Sequence, residues 1–304
     1  MQFPKLSAQL LLKRLEPPTG KVRMVLDTDT YNEVDDQFAL TYALKSKEKI
    51  DLEAVYAAPF YNERSTSPKE GMELSYTEIL KILGMLKVDA NNFAFKGSTD
   101  YLKNIEKPEE SDAVRDLINR AMKSDDDDPL YVVAIGAITN IASAMLIEPD
   151  IIRKIVVVWL GGNALFWDNA TEFNLSQDIL SARIVFDSGV PLVQIPCAGV
   201  TTHLLTTISE LEQYIDGKSE IGTYLTSIVR SYTNDPFAWS KVIWDISTIA
   251  WLINPGWVPT HLVHSPIITD HNTWSFDQSR HFIRSAYFIY RDPIFADLFR
   301  KIAN

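Results

Sequence analysis

Asp27, Asp29, Asp35 and Asp36 crowd the end of an apolar run, Lys21-Val-Arg-Met-Val-Leu-Asp-Thr-Asp-Thr-Tyr-Asn-Glu-Val-Asp-Asp-Gln-Phe-Ala-Leu40. Carboxylates this dense repel one another unless solvent screens them or a cation holds them together. Residues 22–26 have the pattern of a buried strand, while Phe38, Ala39, Leu40, Tyr42, Ala43 and Leu44 carry helical spacing, so the acids sit on a strand-to-helix turn. Open parallel sheets bind ligands outside the carboxyl ends of their strands, where Asp27 and Asp29 fall. Asp35 and Asp36 open the following helix, whose free N–H groups and dipole favour ionised carboxylates. Asp29, Asp35 and Asp36 are therefore expected to converge while charged. Such oxygen-only ligands suit calcium or magnesium far better than zinc. The alternative is an acidic helix cap on a solvated turn.

Three further segments end strands in polar groups. Val132-Val-Ala-Ile-Gly-Ala-Ile-Thr-Asn140 reads as a strand, a Gly turn and a helix, leaving the backbone carbonyls of 134–136 to face a ligand. Val158-Trp-Leu-Gly-Gly-Asn163 leads into a loop ending Thr171-Glu-Phe-Asn-Leu-Ser176. Glu172 and Asn174, two residues apart on an extended chain, would share one side and can accept from and donate to vicinal hydroxyls. Trp239-Ser-Lys-Val-Ile-Trp-Asp-Ile-Ser247 places Asp245 at the start of an apolar helix, costly for a lone acid unless it is paired or metal-bound. By contrast Asp125–Asp128, between Ser124 and Pro129, reads as a solvated loop.

The elements that must position these groups alternate. Strand-like runs at 22–26, 51–58, 93–95, 130–135, 154–160 and 191–195 are separated by helical patterns at 75–86, 113–122, 138–146 and 176–187. That rhythm predicts an α/β fold with a mainly parallel, Rossmann-like open sheet flanked by helices. Residues 207–253 read as mostly helical, and 261–290 as short strands before a last helix at 293–302. An N-terminal arm, residues 1–20, closes on Pro17-Pro18, and residues 21–304 form a single domain, since 304 residues show no break in composition. A net charge of −11 and a pI near 5.0 argue against nucleic acid and anionic membranes as partners. The single Cys197 excludes an internal disulfide and fits a reducing, cytoplasmic setting. No run of about eighteen apolar residues predicts a membrane span, and Leu10-Leu-Leu12 is too short and poorly flanked for a signal peptide.

Taken in order, these motifs resemble the inosine-uridine-preferring nucleoside hydrolase family. Relatives end the first strand in Asp-x-Asp and open the next helix with Asp-Asp, here Asp27, Asp29, Asp35 and Asp36. The strand-Gly-x-x-Thr-Asn segment is Ile135-Gly-Ala-Ile-Thr-Asn140, the Gly-Gly loop is Gly161-Gly162, the triplet is Glu172-Phe173-Asn174, and the late helical Asp is Asp245. The resemblance implies the nucleoside hydrolase fold and a calcium ion, with magnesium the alternative. Asp29, Asp36, Asp245 and the carbonyl of Ile135 would hold it, with water and sugar hydroxyls completing about seven oxygens. It further implies Asp35, Glu172 and Asn174 on the sugar, with Asn62, Asn163 and Asn169 as helpers and Asp27 as support. A calcium-held water, its proton drawn off by Asp29, would attack the anomeric carbon of a nucleoside or related riboside. Relatives of this kind are homodimers or homotetramers.

Two features depart from the family. Asp29 and Asp35 are separated by Thr30-Tyr-Asn-Glu-Val34, a longer and more polar turn than the usual one beginning Pro-Gly. The late motif, usually His-Asp with the histidine as acid for the departing base, reads Trp244-Asp245. His203, His261, His264, His271 and His281 all lie outside the motifs, although His203 sits in a segment that relatives also show. Stacking by Trp244, joined by Trp167, is expected to line the base pocket, with core packing the alternative for these rings and for Trp159 and Trp239. Asp27-Thr-Asp29 is also similar to the Asp-x-Asp of haloacid-dehalogenase-like phosphatases, a class that would leave Glu172-Phe-Asn174 without a role. A metal-dependent sugar-binding protein without catalysis, or a hydrolase of another glycoside, stays open.

Overall fold

The computed structural model describes residues 3–125 and 127–304. Its strands are β1 (Val22–Thr28), β2 (Ile50–Ala57), β3 (Ala94–Lys96), β4 (Leu130–Ala134), β5 (Ile155–Leu160), β6 (Leu192–Ile195), β7 (Leu205–Thr206), β8 (Lys241–Val242), β9 (Thr260–His264), β10 (Ile267–Ile268), β11 (Trp274–Ser275) and β12 (Phe282–Ala286). Eight of them form one sheet in the order β3-β2-β1-β4-β5-β6-β12-β9. All neighbours are parallel except β12 and β9, so the sheet is mainly parallel with one antiparallel edge. Every residue of β4, β5 and β6 is buried. A parallel strand covered on both faces is mostly apolar, and these segments are dominated by Val, Ile and Leu; the buried exception, Gln194 in β6, is paired by donating to the Gly161 carbonyl and accepting from the Ser285 hydroxyl.

The helices are α1 (Ala8–Leu15), α2 (Asp36–Leu44), α3 (Pro68–Met85), α4 (Asp112–Met122), α5 (Thr139–Ile147), α6 (Phe173–Gln177), α7 (Ile179–Ser188), α8 (Ile208–Tyr214), α9 (Glu220–Ser231), α10 (Ile246–Ile253) and α11 (Arg291–Ala303). One face of the sheet packs on α2, α3, α9, α10 and α11, with Phe38, Leu40, Ile249 and Leu298 among the buried contacts. The other packs on α4, α5 and α7, through Leu117, Ile141 and Val185. Strand order runs outward in one direction from β1 and in the other from β4, and the crevice between their carboxyl ends is the switch point where such sheets bind ligands.

Several boundaries differ from those the sequence suggests. The third helix begins at Pro68 rather than 75, because the Ser67 hydroxyl accepts from the Glu70 amide and Pro68 takes the first turn. The arm is not loose: α1 buries Leu11 and Leu15, and Arg284 Nε donates to the Leu15 carbonyl (2.5 Å). Residues 232–245 interrupt the expected helical stretch, where β8 pairs with β7. In the acidic loop, Asp127 pairs with Lys13 at 2.6 Å, while Asp126 lies outside the described residues.

Buried Asp178 ties α5, α7 and the loop at Leu102 together. It caps α7 through the Ser181 amide (2.9 Å), and accepts from the hydroxyls of Ser181 and Thr139 (both 2.6 Å) and from the Leu102 amide (2.9 Å). Asp178→Ala strands these buried donors at roughly 1–3 kcal/mol each. Urea unfolding is expected to show a loss of at least about 3 kcal/mol; a loss under about 1 kcal/mol would contradict this role.

Candidate active site

The crevice between β1 and β4 opens into a cavity of about 280 Å³, near the lower end of the size range of small-molecule sites. Asp29, just past β1, lines it, as do Asp35 and Asp36 at the start of α2, Ile135 after β4, and Asp245 at the start of α10. Asp35, Asp36 and Asp245 each offer an oxygen within 4.8 Å of the others, all three residues being buried. Thr28 Oγ1 donates to Asp36 Oδ1, and the Trp244 amide donates to Asp35 Oδ2 at 3.1 Å. Both carboxylate oxygens of Asp29 are buried without a hydrogen-bond partner. Two elements separated by more than two hundred residues thus deliver their N-terminal acids to one point.

Burial governs the charge state of this cluster. Desolvation first, and then the charge of Asp35, pushes Asp36 up to about 8. Desolvation raises Asp35 to about 6 against the pull of Lys241. Asp29 and Asp245 rise well above the usual carboxylate range, again through burial first and through neighbouring carboxylates second. The expectation that the helix ends keep these acids ionised therefore meets a stronger opposing effect. Removing the solvent outweighs the dipole unless a cation supplies the compensation. Unbonded buried oxygens on Asp29 and an all-oxygen donor set are what a hard cation requires. Asp27 lies behind this group: Asn140 Nδ2 donates to its Oδ1 at 2.7 Å, and burial pushes it up to about 7.

The Gly-Gly loop has a steric cause. A Cβ on Gly161 would meet the Trp159 ring at 2.2 Å, and Gly162 has φ +72°. The tight turn lets the Gly162 amide reach Glu172 Oε1 at 2.8 Å. Sequence pattern places Glu172 and Asn174 on an extended chain facing sugar hydroxyls, whereas the fold makes Glu172 the cap of α6. Its oxygens accept from the amides of Gly162, Asn174 and Leu175 and from the Cys197 thiol, which takes up its acceptor positions. Asn174 Nδ2 donates to the Ile135 and Leu160 carbonyls at 3.2 and 3.0 Å. The carbonyls of residues 135 and 136 thus each accept one hydrogen bond, the second from Trp159 Nε1 at 3.2 Å, and Ile135, which lines the cavity, keeps the other lone pair of its carbonyl oxygen.

The asparagine helpers divide. Asn163 lines the cavity, but its amide is used by the loop, donating to Thr171 O at 2.8 Å and accepting from the Ala198 amide at 3.2 Å. Asn169 is exposed and bonds Asn163 and Thr171 outside the lining. Asn62 also stands outside, donating at 2.6 Å to Asn32 Oδ1, and it is Asn32 that reaches the cavity. Asn32 and Glu33 belong to the long polar turn, the one sequence signal that pointed to them. Glu33 is ion-paired with buried Lys241, a partner that only the fold brings near.

Of the tryptophans, Trp244 is half-buried and lines the cavity. Trp159 is core, packed on Phe186. Trp167 is exposed with its edge on Phe166, and Trp239 stacks beside Tyr232. No histidine lines the cavity among the described residues. His203 Nε2 instead bonds the Ile289 carbonyl at 2.6 Å.

Comparison with known proteins bears on both fold and site. The family profile described as inosine-uridine preferring nucleoside hydrolase matches residues 63–281, a span that contains Ile135, Glu172, Asn174 and Asp245 and begins after the aspartate turn. A putative pyrimidine-specific ribonucleoside hydrolase RihB of Shigella boydii serotype 4 is 33% identical over 160 residues, 50% of this chain and 64% of that protein. The pyrimidine-specific ribonucleoside hydrolase RihB of Escherichia coli O139:H28 is 32% identical over 160 residues, 50% of each chain. The chain thus spans 64% or less of the length of these curated relatives. The solved purine-preferring ribonucleoside hydrolase of Gardnerella vaginalis shares the fold at TM-score 0.76 and 24% identity, over 92% of this chain and 98% of that one. An inosine-uridine preferring nucleoside hydrolase of Bacillus anthracis does so at 0.67 and 17%, over 93% and 99%.

The raised carboxyls set a pH dependence. Without a cation, the folded values of Asp35, Asp27 and Asp36, about 6, 7 and 8, lie above the ordinary 3.8. The folded state then holds protons that the unfolded chain releases, so stability is present at low pH and is lost as pH rises through the folded values. In calcium-free buffer the urea midpoint is expected to fall between about pH 5.5 and about pH 8.5, with Asp36→Asn flattening the slope and calcium restoring the midpoint at the higher pH. A midpoint that climbs with pH in chelator would contradict the assignment.

Proposed function

The chain belongs to the inosine-uridine preferring nucleoside hydrolase family, and on that premise we propose that it is a calcium-dependent hydrolase that releases ribose from a nucleoside or related riboside. The observation that carries this is Asp29: a buried carboxylate, unbonded at both oxygens, facing the cavity beside the Asp35, Asp36 and Asp245 triad. Asp29, Asp36, Asp245 and the Ile135 carbonyl are the groups that would hold the ion, with magnesium the lesser fit for a set this rich in carboxylates. A bound calcium ion would supply charge to orient a sugar diol and favour ionisation of a water molecule.

The remaining chemistry falls to the chain's own residues. Asp29 takes a proton from the water attacking the anomeric carbon. Positive charge building on the ribose ring during cleavage is stabilised by the surrounding buried carboxylates. Asp35, fixed by the Trp244 amide, accepts from a sugar hydroxyl. Asn174 is anchored through its Nδ2, leaving its Oδ1 for another. Glu172 acts by holding the start of α6 and the Gly162 turn in register, which sets the position of Asn174. Asn163 and Asn169 support the same loop, Asn62 supports Asn32, and Asp27 supports the floor through Asn140. Trp244 forms the wall against which the base rests. A cytoplasmic setting and a homo-oligomeric state, dimer or tetramer, complete the reading, supported by the free Cys197 and the family resemblance. No helix among the described residues is long and apolar enough to cross a membrane.

Chromatographic measurement of base release from a panel of nucleosides, in calcium and in chelator, tests the proposal. Calcium-dependent release is expected, with Asp29→Asn lowering kcat by roughly 10²–10⁴-fold. Calcium-dependent binding without release would instead indicate a sugar-binding protein, and release from non-nucleoside glycosides alone would move the substrate class.

A further inference from the structure

Breaking the C1′–N bond of a neutral nucleoside leaves an electron pair on the ring nitrogen, and the base departs as an anion unless something protonates it. A positioned general acid contributes roughly 10²–10⁴-fold to such a step. The carboxylate cluster and Asn32 are buried parts of the lining, and Glu33, Phe173, Cys197, Ala198 and Trp244 are partly exposed parts of it. Neither Asn32 nor any of these partly exposed side chains is a free acid: Glu33 is tied to Lys241, and Asn32 accepts from Asn62. Cys197 is bonded to Glu172, and burial pushes its thiol well above the usual range. No histidine lines the cavity among the described residues: His203 bonds the Ile289 carbonyl, His264 bonds the Arg280 carbonyl, and His261 stacks on Tyr287.

Charge points the same way. Asp29, Glu33, Asp35, Asp36, Glu172 and Asp245 all line the cavity, and no lysine, arginine or histidine does so among the described residues. Lys241 and a divalent cation together offset only half of six carboxylates, so the site stays anionic. Trp244 adds a half-buried indole, whose π-face attracts cations.

We propose that the preferred substrates are ribosides whose leaving base already carries a positive charge, N-ribosylpyridiniums or N7-alkylated purine ribosides, a substrate class that rests on the hydrolase function above. The water oxygen bonds to C1′, the C1′–N bond breaks, and its electron pair returns to the ring nitrogen and neutralises it. The water's proton passes to Asp29 and then to solvent. The base leaves neutral, with no proton demanded from the protein, which fits a cavity whose partly exposed lining offers none.

The test uses the full chain with calcium and compares kcat/KM for 7-methylguanosine against guanosine and for nicotinamide riboside against uridine, each corrected for its uncatalysed rate. The charged member of each pair is expected to be favoured by at least about tenfold, and Trp244→His, which returns an imidazole beside Asp245, to narrow that gap by raising turnover of the neutral member. Ratios below about tenfold, or a folded Trp244→His protein with an unchanged gap, overturn the proposal. If Trp244→His does not fold, the ratios of the unaltered chain decide. Release from both members at similar rates leaves the hydrolase function standing and removes only the charge preference. No release from any of the four removes both.

Discussion

The desolvation of Asp29, Asp35, Asp36 and Asp245 is the constraint on which the rest of the site depends. Four carboxyls buried to within a few per cent of complete exclusion cannot all ionise without a compensating charge. The fold nonetheless brings them together, at the switch point of the sheet and at the starts of two helices. Such an arrangement is unstable as four free anions and stable as the shell of a cation, and this links the stability of the region to its chemistry. The Asp178 hub and the Glu172 cap, each a buried carboxylate satisfied by backbone amides, show the other way this protein accommodates buried acids. Asp29 has no such amides, and that difference is why the proposed function gives it the reactive role.

From the same constraint follows a division of the cavity. Its deep end is rigid, because β1, β4, α2 and α10 are packed core elements whose ends cannot shift independently. Its outer end is built from a loop and a turn, 30–34 and the residues around Trp244, and there the chain departs from the pattern of its family. In the proposed function, sugar chemistry belongs to the rigid part and the choice of leaving group to the variable one. An anionic cavity with an indole wall suits a cationic leaving group for the same reason that it suits the metal.

Much of the deep end is legible from residues alone. A parallel strand buried on both faces is a continuous apolar run, so the polar residues that end it stand out, as Asp27 and Asp29 do after Val25-Leu26. Asp36 and Asp245 are legible for a related reason, each being an acid that opens an apolar helix. What escapes is long-range. Lys241 meets Glu33 across 208 positions, and the arm helix is held by Arg284 across 269, distances over which local pattern carries no information. From sequence Glu172 reads as part of an extended chain, because two-residue spacing suits a strand equally well; only the Gly162 turn, returning its amide to that carboxylate, reveals a helix cap. Asn62 and Asn169 illustrate a one-residue displacement: each bonds a residue that lines the cavity without lining it itself.

If the buried carboxylates are the shell of a divalent cation, they must bind one in solution. Isothermal calorimetry of calcium binding to the intact chain and to Asp245→Asn tests this most directly. One ion per chain is expected, with an affinity lower by at least about tenfold in Asp245→Asn, since losing even a residue that only orients a metal ligand has an effect of that order. Absence of calcium and magnesium binding, or equal affinity in the two proteins, would contradict it.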